Sequence, residues 1–173
     1  MTKKLTLSAL LITVAFMLSY IEFLVPLPSS LGVPGIKLGL ANIVTLFAIF
    51  YPGRRYAVII LLARIFLQST LFGSVTALIF SLCGGLFSFF IMCLMQIKFD
   101  KWFSLIGISI AGSAAHNIGQ ILAACVYFKT ASVICYLPIL LMAAVLMGLV
   151  TGYIAVLLFK ALERSDFKKH NLP

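Results

Sequence analysis

Residues 104–128 read SLIGISIAGSAAHNIGQILAACVYF, a continuous, mostly apolar run of 25 residues. It contains no Asp, Glu, Lys or Arg, and a helix needs about 20 mostly apolar residues to cross the hydrocarbon of a bilayer. A helix also satisfies its own backbone in lipid, so we predict a transmembrane helix. Small residues recur at every fourth position on one face, which lets a neighbouring helix approach closely. They are Gly107, Ala111, Ala115, Gly119 and Ala123.

The rest of the chain repeats this apolar composition. Of its 173 residues, 63% are hydrophobic and only 10% are charged, and the mean hydropathy is +1.19. Soluble domains have roughly 45–50% apolar and about 25% charged residues. We therefore predict an all-α polytopic membrane protein, with one domain over residues 1–173. Its six transmembrane helices are predicted at approximately 5–25, 38–52, 56–72, 74–97, 104–128 and 135–160.

The basic residues predict the orientation. The net charge is +9, with thirteen Lys and Arg residues placed mostly in short gaps between apolar runs. If the N-terminus is inside, ten of them fall in inner segments, Lys37 and Lys129 fall outside, and Arg64 lies within a span. The positive-inside rule then predicts that both ends face the cytoplasm of a bacterial plasma membrane. Because these charges suit lipid headgroups, we expect the bilayer as a partner and no nucleic acid.

Polar side chains inside predicted spans are costly and usually face a cavity or one another. In the predicted topology, seven of them lie in the middle or the outer half of four helices, and an eighth residue lies at the outer mouth. We predict that they line an outward-opening cavity for a small solute. The substrate-binding candidates are Glu22, Lys37, Asn42, Arg64, Gln68, His116, Asn117 and Gln120. The guanidinium and ammonium groups would suit an anionic or carbonyl-rich solute.

Structural roles for the same residues stay open. Glu22 and Arg64 could neutralise each other, and His116 could be an ordinary core histidine. Asn117 and Gln120 could form hydrogen bonds between helices, which are typically worth about 0.6 kcal/mol each in a membrane.

Catalysis, a resident metal and a cofactor are not expected. The chain has four acidic residues, and all except Glu22 lie in predicted inner segments, so no two of them can share a metal inside the membrane. There is no P-loop, so active transport would need separate ATPases or an ion gradient. Four cysteines form no CxxC pair; Cys125 and Cys135 flank a predicted outer loop, where a disulfide stays open.

Four segments together resemble one known family. They are SYIE at 19–22, GIKLGLANI at 35–43, FSLCGGLFS at 80–88 and AAHNIGQ at 114–120. They look like the Gx transporter family, also labelled heptaprenyl diphosphate synthase component I. That family is similar to the substrate-binding S components of energy-coupling factor (ECF) vitamin transporters.

The resemblance implies a six-helix fold with an outward-facing pocket, docked on a coupling subunit with two ATPases. The implied solute is a vitamin or a flavin-, quinone- or prenyl-related compound. S components typically dock through an Ala-xxx-Ala face of the first helix. Here the nearest match is Ala9-xxx-Thr13, which departs from that pattern.

The synthase label implies a different role. Prenyl diphosphate synthases hold magnesium with DDxxD motifs, whereas this chain has two aspartates, Asp100 and Asp166. Prenyl synthase activity is therefore not expected of it. The alternative to a transport subunit is a non-catalytic membrane accessory of polyprenyl diphosphate or quinone synthesis, and the third possibility is an intramembrane enzyme.

Overall fold

The computed structural model describes residues 2–24, 39–99 and 101–164, with side chains from residue 4 to residue 161 within these ranges. The helices are α1 (Thr2–Leu24), α2 (Asn42–Phe50), α3 (Arg54–Leu71), α4 (Val75–Gln96), α5 (Leu105–Phe128) and α6 (Leu137–Arg164), and a 3₁₀ turn at Ser132–Tyr136 precedes α6. The described residues form no strand beyond an isolated bridge between Phe99 and Phe103. The predicted all-α fold is therefore confirmed for this part of the chain.

Four described segments are long and apolar enough to cross a membrane. They are Lys4–Leu24, Val75–Gln96, Leu105–Phe128 and Ser132–Ala161. Each overlaps one predicted span, so the chain is a membrane protein.

The second and third predicted spans do not reach this standard. The second was expected over 38–52, but α2 has nine residues, which extend only about 14 Å at 1.5 Å per residue. The third, α3, has 18 residues, but Arg54, Arg55 and Arg64 lower its hydropathy. Six complete crossings therefore stay a prediction.

Helix α2 is the central element of the fold. It contacts all five other helices, and its residues from Asn42 to Ile49 are all buried. A short apolar helix of this kind suits a protein core better than a bilayer. Its apolar run therefore reflects burial among helices and not exposure to lipid.

Neighbouring helices are antiparallel where α4, α5 and α6 meet. Gly119 of α5 lies against the backbone of Cys83, while Gly112, seven residues earlier, lies against Met92. In the same way, Gly148 of α6 lies against the backbone of Ile110 and Gly152 lies against Ile106. These close approaches agree with the small-residue faces that the sequence predicts for α5 and α6.

Helices α1 and α3 run parallel. Ser19 of α1 bonds to Arg64 of α3, and further along both helices Phe23 packs against Phe72. Helix α2 runs the other way, since its start lies beside α5 near Asn42 while its end at Ile49 accepts a bond from Gln96. The six helices therefore alternate in direction along the chain.

The two ends of the bundle differ in charge. An apolar cluster that includes Leu11, Met92, Ile108 and Ala155 lies toward one end. That end carries the basic side chains Lys4, Arg54, Arg55, Lys98, Lys101 and Lys160, and we call it the basic end. A second apolar cluster, which includes Phe80, Ile121, Val133 and Leu140, lies toward the other end. Among the described residues, that opposite end has one cation, Lys129.

Candidate functional site

Buried polar side chains form a layer between the two apolar clusters. All the predicted site residues that the structure describes belong to the buried set, with exposed fractions of 0–7%. They are Glu22, Asn42, Arg64, Gln68, His116, Asn117 and Gln120. Lys37 lies outside the described residues. We call this set, with the buried hydroxyls beside it, the polar layer.

Helical periodicity places these residues on inward faces. In α3, Arg64 and Gln68 lie four residues apart and continue a buried stripe that begins with Ala57 and Ile60. In α5, His116 and Gln120 have the same spacing. Residues at this spacing lie one above the other on a helix, so each pair extends through the thickness of the polar layer.

Gly39 joins three helices at the polar layer. Its backbone N–H donates to the carboxylate of Glu22, at the end of α1. Its φ of +86° lies in the left-handed region, which glycine adopts without strain. A Cβ at this position would lie 2.8 Å from Asn42 Nδ2 and 3.4 Å from His116 Cδ2. The absence of a side chain therefore allows α1, the start of α2 and α5 to meet.

Arg64 is held by α1. Its Nη1 donates to Ser19 Oγ at 3.3 Å, and the Ser19 hydroxyl itself donates to the carbonyl of Ala15. Glu22 lies three residues beyond Ser19, about one helical turn further along α1. Compensation of its charge by Arg64 stays the alternative that the sequence left open.

Helix α4 contributes a surface that the sequence analysis did not assign to the site. A Cβ on Gly84 would lie 2.7 Å from the carbonyl oxygen of His116 and 2.8 Å from Gln120 Cγ. Ser81 and Ser88, on the same face of α4, are buried. Gly85 lies against Leu61 and Ile65 of α3. Because α3 and α4 are antiparallel, Ser81, about one turn before Gly85 in α4, lies at the same depth as Gln68, about one turn after Ile65 in α3.

Five participants were missed from sequence: Ser19, Gly39, Ser81, Ser88 and Ser113. Ser and Gly are ordinary in membrane helices, so none is conspicuous alone. Spacing offered a signal, because Ser19 precedes Glu22 by three residues and Ser113 precedes His116 by three. Helical neighbours of the obvious polar residues share their depth and face.

Asn117 faces a different partner from its neighbour His116. Its Nδ2 donates to the carbonyl oxygen of Leu140 in α6 at 2.7 Å. A second polar contact between these helices joins Ser109 Oγ and Thr151 Oγ1 at 2.8 Å. Asn117 therefore links α5 to α6, as the interhelical alternative proposed.

Many polar atoms in the layer have unused hydrogen-bonding capacity. Among the described residues, the following buried atoms have no hydrogen-bond partner: Asn42 Nδ2 and Oδ1, Arg64 Nε and Nη2, Gln68 Nε2 and Oε1, Asn117 Oδ1, and the hydroxyls of Ser81, Ser88 and Ser113. Native proteins leave few such atoms, and a cluster of them needs an explanation. A bound polar molecule, either solute or ordered water, would supply the missing partners.

These side chains are buried in the structure, and α2 is buried with them. The outward-opening cavity that the sequence predicts stays a prediction. A separate groove of about 700 Å³ lies between α4 and α5, with a lining that includes Cys83, Phe87, Leu122 and Val126. This lining is apolar, so the groove suits lipid and not a polar solute.

Metal ligands and disulfides are not assembled in the described residues. No three His, Cys, Asp or Glu side chains come together there. All four cysteines are free thiols, and Cys83 and Cys135 are exposed on the surface. The Cys125–Cys135 disulfide that the sequence left open is therefore not formed in this structure.

A known protein family matches most of the chain. The family model described as heptaprenyl diphosphate synthase component I matches residues 11–158. The matched range includes all eight predicted site residues. No curated protein and no solved structure matches the chain.

Proposed function

This chain belongs to the heptaprenyl diphosphate synthase component I family, and from its polar layer we propose that it is a membrane-embedded subunit that binds a small polar solute. The observation that carries the proposal is the set of buried, unpartnered polar atoms on α2, α3, α4 and α5. A protein core without a ligand would be more stable with apolar side chains at these positions, because unsatisfied buried groups cost about 1–3 kcal/mol each.

The finer proposal is the substrate-binding subunit of an ECF-like importer for a vitamin or a flavin-, quinone- or prenyl-related compound. The alternating helix directions and the basic end support six crossings, with both chain ends in the cytoplasm of a bacterial plasma membrane. Ala9 and Thr13 are both exposed on α1, which leaves this face available for a coupling subunit. Release of the solute from the polar layer would then require α2 to move. ATPases bound to the coupling subunit would drive that movement.

Native mass spectrometry of the detergent-solubilised protein tests the binding role. We expect a retained small molecule in the wild type and its loss in Gln68→Leu, which removes both unpartnered amide atoms at similar volume. Thr70→Val is the matched control, because Thr70 lies on the same helix but is exposed and bonds only to carbonyls of α3. Retention of the molecule by Gln68→Leu, or its absence from a wild type isolated in native membranes, would contradict the proposal.

A second candidate function follows from the family description itself, which names a component of a synthase. In this role the chain would be a non-catalytic membrane accessory of polyprenyl diphosphate or quinone synthesis, with a second synthase component as its partner. Purification from native membranes separates the two. Recovery of ATPases with a coupling subunit favours the importer, and recovery of a prenyl diphosphate synthase favours the accessory.

A further inference from the structure

Arg64 is a buried cation with unused hydrogen-bonding capacity. Among the described residues, one hydrogen bond reaches its guanidinium, from Nη1 to Ser19 Oγ at 3.3 Å. Nε and Nη2 are buried and have no hydrogen-bond partner. Buried charges in proteins are normally paired and hydrogen-bonded, so two open donors on one arginine indicate a missing acceptor.

The two open donors lie on the same edge of the guanidinium. The group is planar and rigid, and its Nε–H and one N–H of Nη2 point side by side in the same direction. We call this pair of donors the free edge of Arg64. Such an edge fits a group with two adjacent oxygen atoms, because each oxygen then accepts one of two parallel hydrogen bonds.

Ser19 sets the direction of the free edge. Its hydroxyl donates to the carbonyl oxygen of Ala15 at 2.9 Å, so its oxygen is left to accept from Nη1 of Arg64. This bond holds Nη1 against α1 and points the free edge away from Ser19. Ser19 is therefore a positioning residue for the guanidinium.

Glu22 does not occupy the free edge. Neither of the two open donors has a hydrogen-bond partner, and the carboxylate of Glu22 accepts from the backbone N–H of Gly39. Among the described residues, Arg64 is the one Lys or Arg in the polar layer, and it matches a single negative charge. A phosphate monoester carries about −1.5 to −2 at neutral pH, so it would bury a larger uncompensated charge than a carboxylate.

We infer that the polar layer binds its solute by a carboxylate group, which pairs side-on with Nε and Nη2 of Arg64. This inference rests on the proposed solute-binding function and narrows the anionic or carbonyl-rich solute that the sequence suggested. An amide or a ketone matches the free edge less well, because it has one oxygen for two donors and no charge for the guanidinium.

Acetate and acetamide test this pairing, because they are similar in size and differ in charge and in the number of acceptor oxygens. Saturation-transfer NMR on the purified protein in detergent would measure the binding of each probe through its methyl group. We expect acetate to bind the wild type, with an apparent affinity about tenfold weaker in Arg64→Lys, which keeps the charge but loses the planar fork. Arg55→Lys is the matched control and should leave acetate binding unchanged, since Arg55 is exposed at the basic end. Acetamide should show no transfer that depends on Arg64.

A second pair of variants keeps Arg64 and so guards against misfolding of Arg64→Lys. Ser19→Ala removes the bond that orients the guanidinium, and we expect it to lower the preference for acetate over acetamide by about threefold. Ser8→Ala is its control, because Ser8 lies on the same helix and bonds in the same way to the carbonyl of Lys4. This variant should keep the wild-type preference. Gel filtration in detergent would check that each variant remains monodisperse.

Three outcomes would overturn the inference. The wild type could bind acetate no better than acetamide, or Arg64→Lys and Ser19→Ala could both leave acetate binding unchanged. Acetate binding that appears only in Glu22→Gln would show that Glu22 occupies Arg64.

The solute class and the binding function can fail separately. A molecule without a carboxylate, such as a phosphate ester, that the wild type retains and Gln68→Leu loses would refute the class but keep the binding function. If acetate does not bind and no molecule is retained, both proposals fail and the layer is filled by water only.

Discussion

At the residue scale, burial of Arg64 and Glu22 dominates the chemistry of the site. Both side chains are buried, at 4% and 7% exposure, between apolar clusters. The sequence showed that these were the ionisable residues in an unfavourable place, but it could not show which group would compensate the other. That depends on α1 and α3 running parallel, which brings Ser19 to Arg64 and places Glu22 one helical turn further along α1.

Removal of one member of this pair should destabilise the protein more than removal of both. On the charge-compensation hypothesis, Arg64→Met leaves Glu22 as an uncompensated buried charge, and we expect a loss of about 3–5 kcal/mol. Arg64→Met/Glu22→Leu should recover most of that loss. Thermal unfolding in detergent of the wild type, the two single variants and the double variant measures the coupling. Additive losses would show that the charges do not interact.

Gly39 should be required for two reasons: its backbone has a positive φ, and its Cβ position is crowded by Asn42. Gly39→Ala places a Cβ at positive φ and 2.8 Å from Asn42 Nδ2. Gly53→Ala is the matched control, because Gly53 has φ +105° and nothing within 4 Å of its Cβ position. Both variants should lose about 1–3 kcal/mol of stability from the backbone, because a residue with a Cβ is strained at positive φ. Only Gly39→Ala should also weaken retention of the solute. Equal solute retention in the two variants would argue against crowding at the site.

At the element scale, length and surroundings decided the role of each helix. The sequence predicted a membrane span at 38–52 because that segment is apolar. In the structure the helix in this segment, α2, has nine residues and is buried among the other helices. Apolar residues are equally suited to a bilayer and to a protein core, so hydropathy alone cannot separate the two. By contrast, the small residues of α5 correctly indicated a face for close helix packing.

The α4–α5 contact should depend on Gly119 and not on Gly107, although both glycines lie on that predicted face. A Cβ on Gly119 would lie 2.8 Å from the carbonyl oxygen of Cys83 and 2.9 Å from the Cα of Gly84. Backbone atoms cannot move aside cheaply, so Gly119→Ala should destabilise the protein by about 1–3 kcal/mol.

Gly107→Ala supplies the comparison. The nearest atom to its Cβ position is Ser104 Oγ at 3.4 Å. This variant should be neutral, or gain up to about 1 kcal/mol from the higher helix propensity of alanine. Melting temperatures in detergent report both effects. A similar loss from Gly107→Ala would mean that glycine flexibility, and not helix contact, matters along α5.

At the scale of the whole molecule, charge separates the two ends of the bundle. The described basic residues other than Arg64 and Lys129 lie at one end, and the described start of α1 and the end of α6 lie there too. This arrangement is what an even number of crossings with a cytoplasmic basic end would produce.

Cysteine labelling tests that orientation. In a background with the four native cysteines replaced, Lys129→Cys should react with a membrane-impermeant maleimide on intact cells. Lys101→Cys, which is exposed at the basic end, should react only after the membrane is permeabilised. The reverse pattern would invert the topology, and labelling of both on intact cells would contradict six crossings.

From the sequence alone we could predict that the protein lies in a lipid bilayer, that it is helical, and which buried polar residues needed an explanation. Those properties follow from composition and from local periodicity, which need no knowledge of the neighbours of a residue. The folded arrangement was needed to show that α2 is enclosed, that Asn117 bonds to α6, and that Arg64 bonds to Ser19 of α1. These depend on which helices meet and at what register, because a polar side chain in a membrane takes its role from the partner it reaches.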